Sequence, residues 1–332
     1  MRKSFLYGAV STFALVGAAT AEVPSVAVDI APVHSLVARV MEGAGTPNLV
    51  VRPGASPHGY SLRPSEAKAL QNADVVFWVS EGLTPWLQSS IGSIAPDAKS
   101  VELLEAEGAT ELEFREGAAF EKHGHDEEGH EDHSQDKDED DHEDHAQDKE
   151  EADRDHEDHE GHAHDPHAWL DPENARIWLD VIAADLAAAD PENADVYAAN
   201  ATAGKAELDM LIKEINTDLE AVRGTNFVVF HDAYQYFENR FDIAAVGAIT
   251  LGDASDPSPA RVAEIRDKVV ELGVTCAFAE PQFNPGLLKS VFQGTDATTG
   301  VLDPLGSDLQ LGPDLYPQLL RNLARNLATC LK

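Results

Sequence analysis

Four histidines lie outside one very acidic tract of the chain: His34, His58, His167 and His231. His58 closes Pro53-Gly54-Ala55-Ser56-Pro57-His58, a turn-rich stretch beyond the apolar run Leu49–Val51. His231 directly follows the apolar run Phe227–Phe230, and Asp303 follows Gly300–Leu302 and precedes Pro304. His167 stands in Asp165-Pro166-His167-Ala168-Trp169-Leu170-Asp171. In parallel α/β sheets, ligands bind at the carboxyl ends of strands, where three of these four residues fall. Three imidazoles and one carboxylate form a donor set that suits Zn²⁺. Any one strand-end histidine, taken alone, is more simply a hydrogen-bonding or solvated residue; the joint set carries the reading. His34 reads as a polar residue at a helix start, and Trp78, Trp86, Trp169 and Trp178 as core or lobe-interface residues.

Enzyme signatures are missing. The sequence contains no G-x-x-x-x-G-K-[ST], no G-x-G-x-x-G after a strand and no G-x-S-x-G. His-Glu-Asp-His occurs at His130–His133, His142–His145 and His156–His159. The zincin motif needs its two imidazoles at i and i+4 on one helix face, so this i, i+3 spacing fails it. Four protein ligands would also leave no open position for a reactive water. The expectation is a protein that binds metal and catalyses nothing.

The elements that must hold these residues alternate. Val26–Ile30, Leu49–Val51, Val75–Val79, Phe227–Phe230, Ile243–Val246, Cys276–Ala279 and Gly300–Leu302 read as buried strands, rich in β-branched residues or bounded by turn formers. His34–Met41, Pro64–Gln71, Ala233–Arg240, Pro259–Leu272 and Pro285–Gln293 read as helices, several opened by proline in the first turn. This order predicts an α/β protein with two mainly parallel sheets flanked by helices. From Pro172 to Arg223 the pattern is helical throughout, broken at Asp190-Pro191. A single helix over Pro191–Arg223 would span about 50 Å, long enough to tie two lobes together. The expected divisions are an N-terminal lobe over 22–170, a helical linker over 171–224 and a C-terminal lobe over 225–332.

The tract 121–165 holds 22 Asp or Glu, 4 Lys or Arg and 10 His, with no Leu, Ile, Val, Met or aromatic residue. It carries half of the formal net charge of -36 and reads as a disordered loop, because it cannot bury enough apolar surface to fold. Its histidines are His123, His125, His130, His133, His142, His145, His156, His159, His162 and His164, candidates for secondary metal binding. A surface this acidic argues against nucleic-acid binding. Arg2 and Lys3, the apolar stretch Phe5–Ala18 and Ala19-Thr20-Ala21 fit a signal peptide cleaved after Ala21. The apolar stretch is too short for a membrane anchor. An exported protein meets oxidants, so Cys276 and Cys330 could form one bridge.

Five stretches in order resemble the solute-binding receptors of bacterial zinc-uptake ABC transporters, the ZnuA group. They are Gly54–Pro64 (GASPHGYSLRP), Asp165–Leu170 (DPHAWL), Phe230–Tyr234 (FHDAY), Phe278–Phe283 (FAEPQF) and Leu302–Gly306 (LDPLG). The resemblance implies two α/β lobes joined by a long helix, with the metal in the interlobe cleft. It implies His58, His167, His231 and Asp303 as ligands, and a bridge between Cys276 and Cys330. It also implies a periplasmic receptor, a monomer, that delivers zinc to an inner-membrane permease with a separate ATPase. The His-rich loop would gather additional zinc, with a periplasmic zinc-donor chaperone as a further partner. Manganese- and iron-type relatives usually carry Glu where His231 stands, and imidazole-rich sites suit zinc. Pro57 stands where some zinc-type relatives have Glu beside the first ligand. The alternatives are a periplasmic metal buffer or chaperone centred on the loop, a secreted zinc hydrolase with Glu280 as its base, and a manganese receptor.

Overall fold

The computed structural model describes residues 23–115, 164–250, 258–283, 292, 294–295 and 297–332. The expected signal peptide, nine of the ten histidines of the acidic tract and nearly all of the expected helix Pro285–Gln293 lie outside these residues. Among the described residues no helix is long and apolar enough to cross a membrane.

Contacts divide the chain into two compact units. The first combines the chain up to Ala109 with Asp171–Ile215 and Leu305–Arg321. Its sheet has the order β2-β1-β3-β4, with β1 Val26–Val28, β2 Asn48–Leu49, β3 Val75–Trp78 and β4 Lys99–Glu102. All three pairings are parallel. Val50 and Val51 extend the β2 pairing, donating to the Val28 and Asp29 carbonyls at 2.8 Å each. Between the strands run α1 Ala31–Val40, α2 Pro64–Gln71 and α3 Pro85–Ile94, each with proline in its first turn. At α2, Glu66 accepts the Arg63 N–H at 2.7 Å and the Tyr60 hydroxyl at 2.8 Å, which fixes the loop that enters this helix. Ala27, Val50, Leu70, Val76, Trp78, Leu87 and Ile91 build one core cluster of this unit.

Helix α4 covers Pro172–Ala189, with the Asp171 carboxylate accepting the Glu173 N–H at its start. A 3₁₀ turn at Pro191–Asn193 then leads into α5, Ala194–Leu219, and a second at Glu220–Val222 ends it. This 26-residue helix begins in the first unit and carries the chain into the second.

The second unit combines Thr110–Leu170, Asn216–Pro304 and Asn322–Lys332. Its sheet has the order β6-β5-β7-β8, with β5 Phe227–His231, β6 Gly247–Thr250, β7 Cys276–Ala279 and β8 Thr298–Val301, again all parallel. Helices α6 Gln235–Phe241 and α7 Pro259–Glu271 alternate with these strands, and α8 Leu315–Leu331 ends the chain. Val228, Phe230, Ile249, Ile265, Val269 and Ala277 form its core with Val274 and Phe292. Cys276 on β7 and Cys330 on α8 form a disulfide with Cα atoms 6.0 Å apart. A Cβ at Gly300 would stand 2.6 Å from the Phe278 ring and 3.4 Å from Cys330 Sγ, so this close approach requires glycine.

The structure departs from the sequence reading in four places. The strand expected at Ile243–Val246 lies at Gly247–Thr250, because Ile243 N–H bonds to the Glu238 carbonyl and Ala245 N–H to its carboxylate. Strand β4 and helix α3 were not expected. Of the described residues, Thr110–Arg115 and His164–Leu170 group with the second sheet rather than the first, where Tyr236 of α6 accepts the Leu112 N–H at 3.0 Å and donates to the Asp165 carbonyl at 2.9 Å, and Leu305–Arg321 groups with the first rather than the second. Finally, the last two residues of the tract read as a loop are held. His164 bridges to Glu113 in antiparallel fashion, and Asp165 is buried.

Candidate metal centre

His231 ends β5 and is buried, paired in register with Thr250 of β6. Its Nδ1 lies 2.6 Å from Glu280 Oε1, and its backbone N–H reaches the same oxygen at 3.3 Å. Glu280 comes directly after β7, the strand beside β5, so the parallel register brings together two residues 49 apart in sequence. His167 is built on a different frame. Its Nδ1 lies 2.7 Å from Asp165 Oδ1, and its backbone N–H donates to that oxygen at 3.0 Å. Asp165 N–H in turn donates to the Leu112 carbonyl at 2.7 Å. Trp169, in the 3₁₀ turn Ala168–Leu170, donates to the Pro304 carbonyl at 2.8 Å, with its ring 5.3 Å from that of His167.

The two imidazoles meet, with Nε2 to Nε2 3.4 Å and the rings at 64°. Each Nδ1 faces a buried carboxyl group; where that group is ionised it only accepts, and Nδ1 then carries the ring proton. Both Nε2 atoms then present lone pairs to one another. With both rings in that form, a cation between the two nitrogens would relieve the repulsion of their lone pairs. Two nitrogens bound at 2.0–2.1 Å to one tetrahedral zinc stand about 3.3 Å apart, the separation found here. Carboxylate–histidine pairs of this kind fix the tautomer and raise ligand basicity at metal sites.

Burial sets the electrostatics. It raises the Asp165 carboxyl to about 7 against the lowering effect of the His167 N–H, Arg115 and His231. Burial, then the neighbouring His231, holds the His167 imidazole well below its usual range, so it stays neutral, as a metal ligand must. Arg115 links the next layer, in ion pairs with Asp232 and with Glu238.

Among the described residues no three His, Cys, Asp or Glu side chains gather as a metal-sized group, so only His167 and His231 of the expected set are brought together. Asp303 follows β8 and accepts a hydrogen bond from Gln282 Nε2 at 3.0 Å. His58 belongs to the first unit, where the carbonyl of the preceding Pro57 accepts the Trp86 indole N–H at 2.7 Å. Of the loop candidates, His164 is described, and its two ring nitrogens face Glu111 at 3.1 Å and Glu113 at 3.6 Å. His34 is buried in α1 with Nε2 3.2 Å from the Pro47 carbonyl, consistent with a structural residue. Sequence reasoning missed Asp165 as a partner of His167 by counting it with the acidic tract. It weighed Glu280 only as a possible base, and it passed over Arg115, Asp232 and Glu238. A carboxylate two residues before a candidate ligand was the one local signal.

Comparison with known proteins supplies the family. The family described as "Zinc-uptake complex component A periplasmic" (ZnuA) matches residues 26–330. The high-affinity zinc uptake system protein ZnuA of Brucella abortus (strain 2308) is 49% identical over 306 residues, covering 92% of this chain and 91% of the relative. That of Paracoccus denitrificans (strain Pd 1222) is 42% identical over 314 residues, covering 94% and 93%. Among solved structures, a crystal structure of ZnuA superposes with a TM-score of 0.70 at 23% identity, covering 93% of this chain and 99% of the other. A zinc-bound 138-173 ZnuA deletion mutant superposes with a TM-score of 0.69 at 23% identity, covering 93% and 98%. The chain belongs to the ZnuA family of periplasmic zinc-uptake components.

Proposed function

We propose that this chain is a periplasmic receptor that captures Zn²⁺ as cargo and passes it to a membrane permease driven by a separate ATPase. It binds and releases and catalyses no reaction. The observation that carries the reading is the convergence of the two Nε2 atoms at 3.4 Å, with a buried carboxyl group behind each ring at Nδ1. This separation matches that of two nitrogens bound to one tetrahedral zinc. His58 and Asp303 complete the ligand set in this proposal, on the strength of their sequence motifs. Imidazole predominance favours zinc over manganese. The protein acts as a monomer after cleavage behind Ala21, and a periplasmic zinc-donor chaperone is a further partner.

The His-rich tract has a supporting part. Its many histidines and carboxylates offer overlapping donor sets, so these sites are several in number and weaker than the main one. By holding zinc close to the main site, the tract raises the local metal concentration. Calorimetry tests both parts. Wild type should bind one zinc tightly and several weakly, and His231→Ala should lose the tight event. Deleting 121–162, which spares His164 and Asp165, should keep the tight event, lose weak ones and slow transfer from a zinc-loaded donor. Retention of tight binding in His231→Ala would refute the site, and loss of it in the deletion would favour the buffer reading.

A further inference from the structure

The second unit buries four carboxylates connected to the imidazole pair: Asp165, Asp232, Glu238 and Glu280. Two of them face the Nδ1 atoms of His167 and His231. The other two converge on one guanidinium. Arg115 Nε lies 3.0 and 3.1 Å from the two Asp232 oxygens, and Nη2 also contacts Asp232. Nη1 lies 2.7 Å from Glu238 Oε2, which also accepts the Ala245 N–H. Asp232 is the residue directly after His231. Asp232 is near enough to act on the charge of His167, yet both it and Glu238 are taken up by Arg115.

Their chemistry matters for which metal binds. Carboxylate oxygens suit manganese, magnesium and calcium, whereas imidazole suits zinc. A carboxylate released beside His231 would add a hard oxygen donor and a negative charge where the cation is held. Guanidinium is suited to prevent this. It stays protonated at every accessible pH, and its planar fork can hold two carboxylates at once, which a lysine ammonium cannot match. Here Glu238 and Asp232 raise the Arg115 guanidinium against the lowering effect of burial.

We infer that Arg115 is a positioning residue that sets metal selectivity: by holding Asp232 against Glu238 it withholds the Asp232 carboxylate from the cation and keeps the site dominated by imidazole. This rests on the zinc-receptor reading above. A merely structural arginine, closing two acids into the core, would change affinity for all metals together. A selectivity residue changes their ratio.

The test is competition of Zn²⁺ and Mn²⁺ against a chromophoric chelator in full-length protein. Arg115→Gln should shift the zinc-to-manganese affinity ratio toward manganese by about tenfold, the lower end of what supporting residues at metal sites contribute. Adding Asp232→Asn to Arg115→Gln should restore most of the wild-type ratio, and Asp232→Asn alone should leave it unchanged. Circular dichroism checks folding. If Arg115→Gln does not fold, Arg115→Lys carries the test, with a smaller shift in the same direction. A native-like variant with an unchanged ratio, or with both affinities reduced equally, overturns the inference. Failure of the zinc reading itself would show separately, as wild type and His231→Ala binding zinc alike.

Discussion

Asp29 follows β1 in the first unit, and His231 ends β5 in the second; their strands hold matching places in sheets of the same order. In the first unit the carboxylate belongs to the first strand. Asp29 accepts the Ile30 N–H at 2.7 Å and the Val79 N–H, just beyond β3, at 2.8 Å. In the second unit the arrangement is reversed. The first strand offers an imidazole, and the carboxylate, Glu280, lies just beyond β7. Both acids are buried and both tie neighbouring strand ends together. But the backbone amides take up Asp29 from within, whereas Glu280 binds one ring nitrogen of His231 and leaves the other facing His167 Nε2. A strand's carboxyl end is therefore only an opportunity for a ligand. What decides is whether the local hydrogen bonds leave a donor atom available.

This contrast predicts its largest effect at the imidazoles. His167→Ala or His231→Ala should weaken zinc binding by more than the roughly 10–100-fold that loss of a supporting partner costs. Chelator competition on loop-deleted protein reads this directly. Equal affinities in both variants and wild type would erase the distinction between the two strand ends. Next come the acids behind the rings. Glu280→Gln and Asp165→Asn keep an acceptor for Nδ1 but remove its charge, and each should cost about tenfold or more in zinc affinity. A disulfide staples only the second sheet, from Cys276 to Cys330. Replacing both cysteines with serine should lower stability by about 2–4 kcal/mol in chemical denaturation. Zinc affinity should change little, because β7 is also held by its parallel partners β5 and β8.

Much of this frame was legible in the sequence. The runs Val26–Ile30, Val75–Val79 and Cys276–Ala279 announced strands because buried parallel strands need apolar residues on both faces. Strand β4, Lys-Ser-Val-Glu, was hidden for the opposite reason: it lies at an edge and is largely exposed. Helix α3, Pro-Trp-Leu-Gln-Ser-Ser-Ile-Gly-Ser-Ile, buries only Leu87 and Ile91, too sparse a stripe to show a period. At the site, His231 was legible from the strand before it and His167 from its motif. Glu280 as a partner was not, since only the β5–β7 register links it to a residue 49 positions away. Asp165 was obscured by composition. It stands at the end of an acidic tract, and nothing local marks it as a carboxylate that the fold buries.

The smallest expected effect on metal binding belongs to Asp29, and it sharpens the comparison through pH. Burial raises the Asp29 carboxyl from 3.8 to about 7, more than the amides of Val79 and Ile30 lower it. A carboxyl whose folded pKa is raised binds its proton more tightly in the folded chain than in the unfolded one. Its contribution is therefore fully present below about pH 4 and is lost as pH rises through 7. Wild-type stability should decline across that window by up to about 4 kcal/mol from this residue, the full equivalent of a shift of about three pKa units. Asp29→Asn cannot ionise, so the decline should flatten, while zinc affinity at neutral pH stays as in wild type. Urea unfolding at several pH values, followed by the fluorescence of Trp78, Trp86 and Trp178 in the first unit, measures the slope. An Asp29→Asn protein that keeps the wild-type slope would place the titration elsewhere. One that loses zinc affinity as Glu280→Gln does would mean that the two strand ends act alike after all.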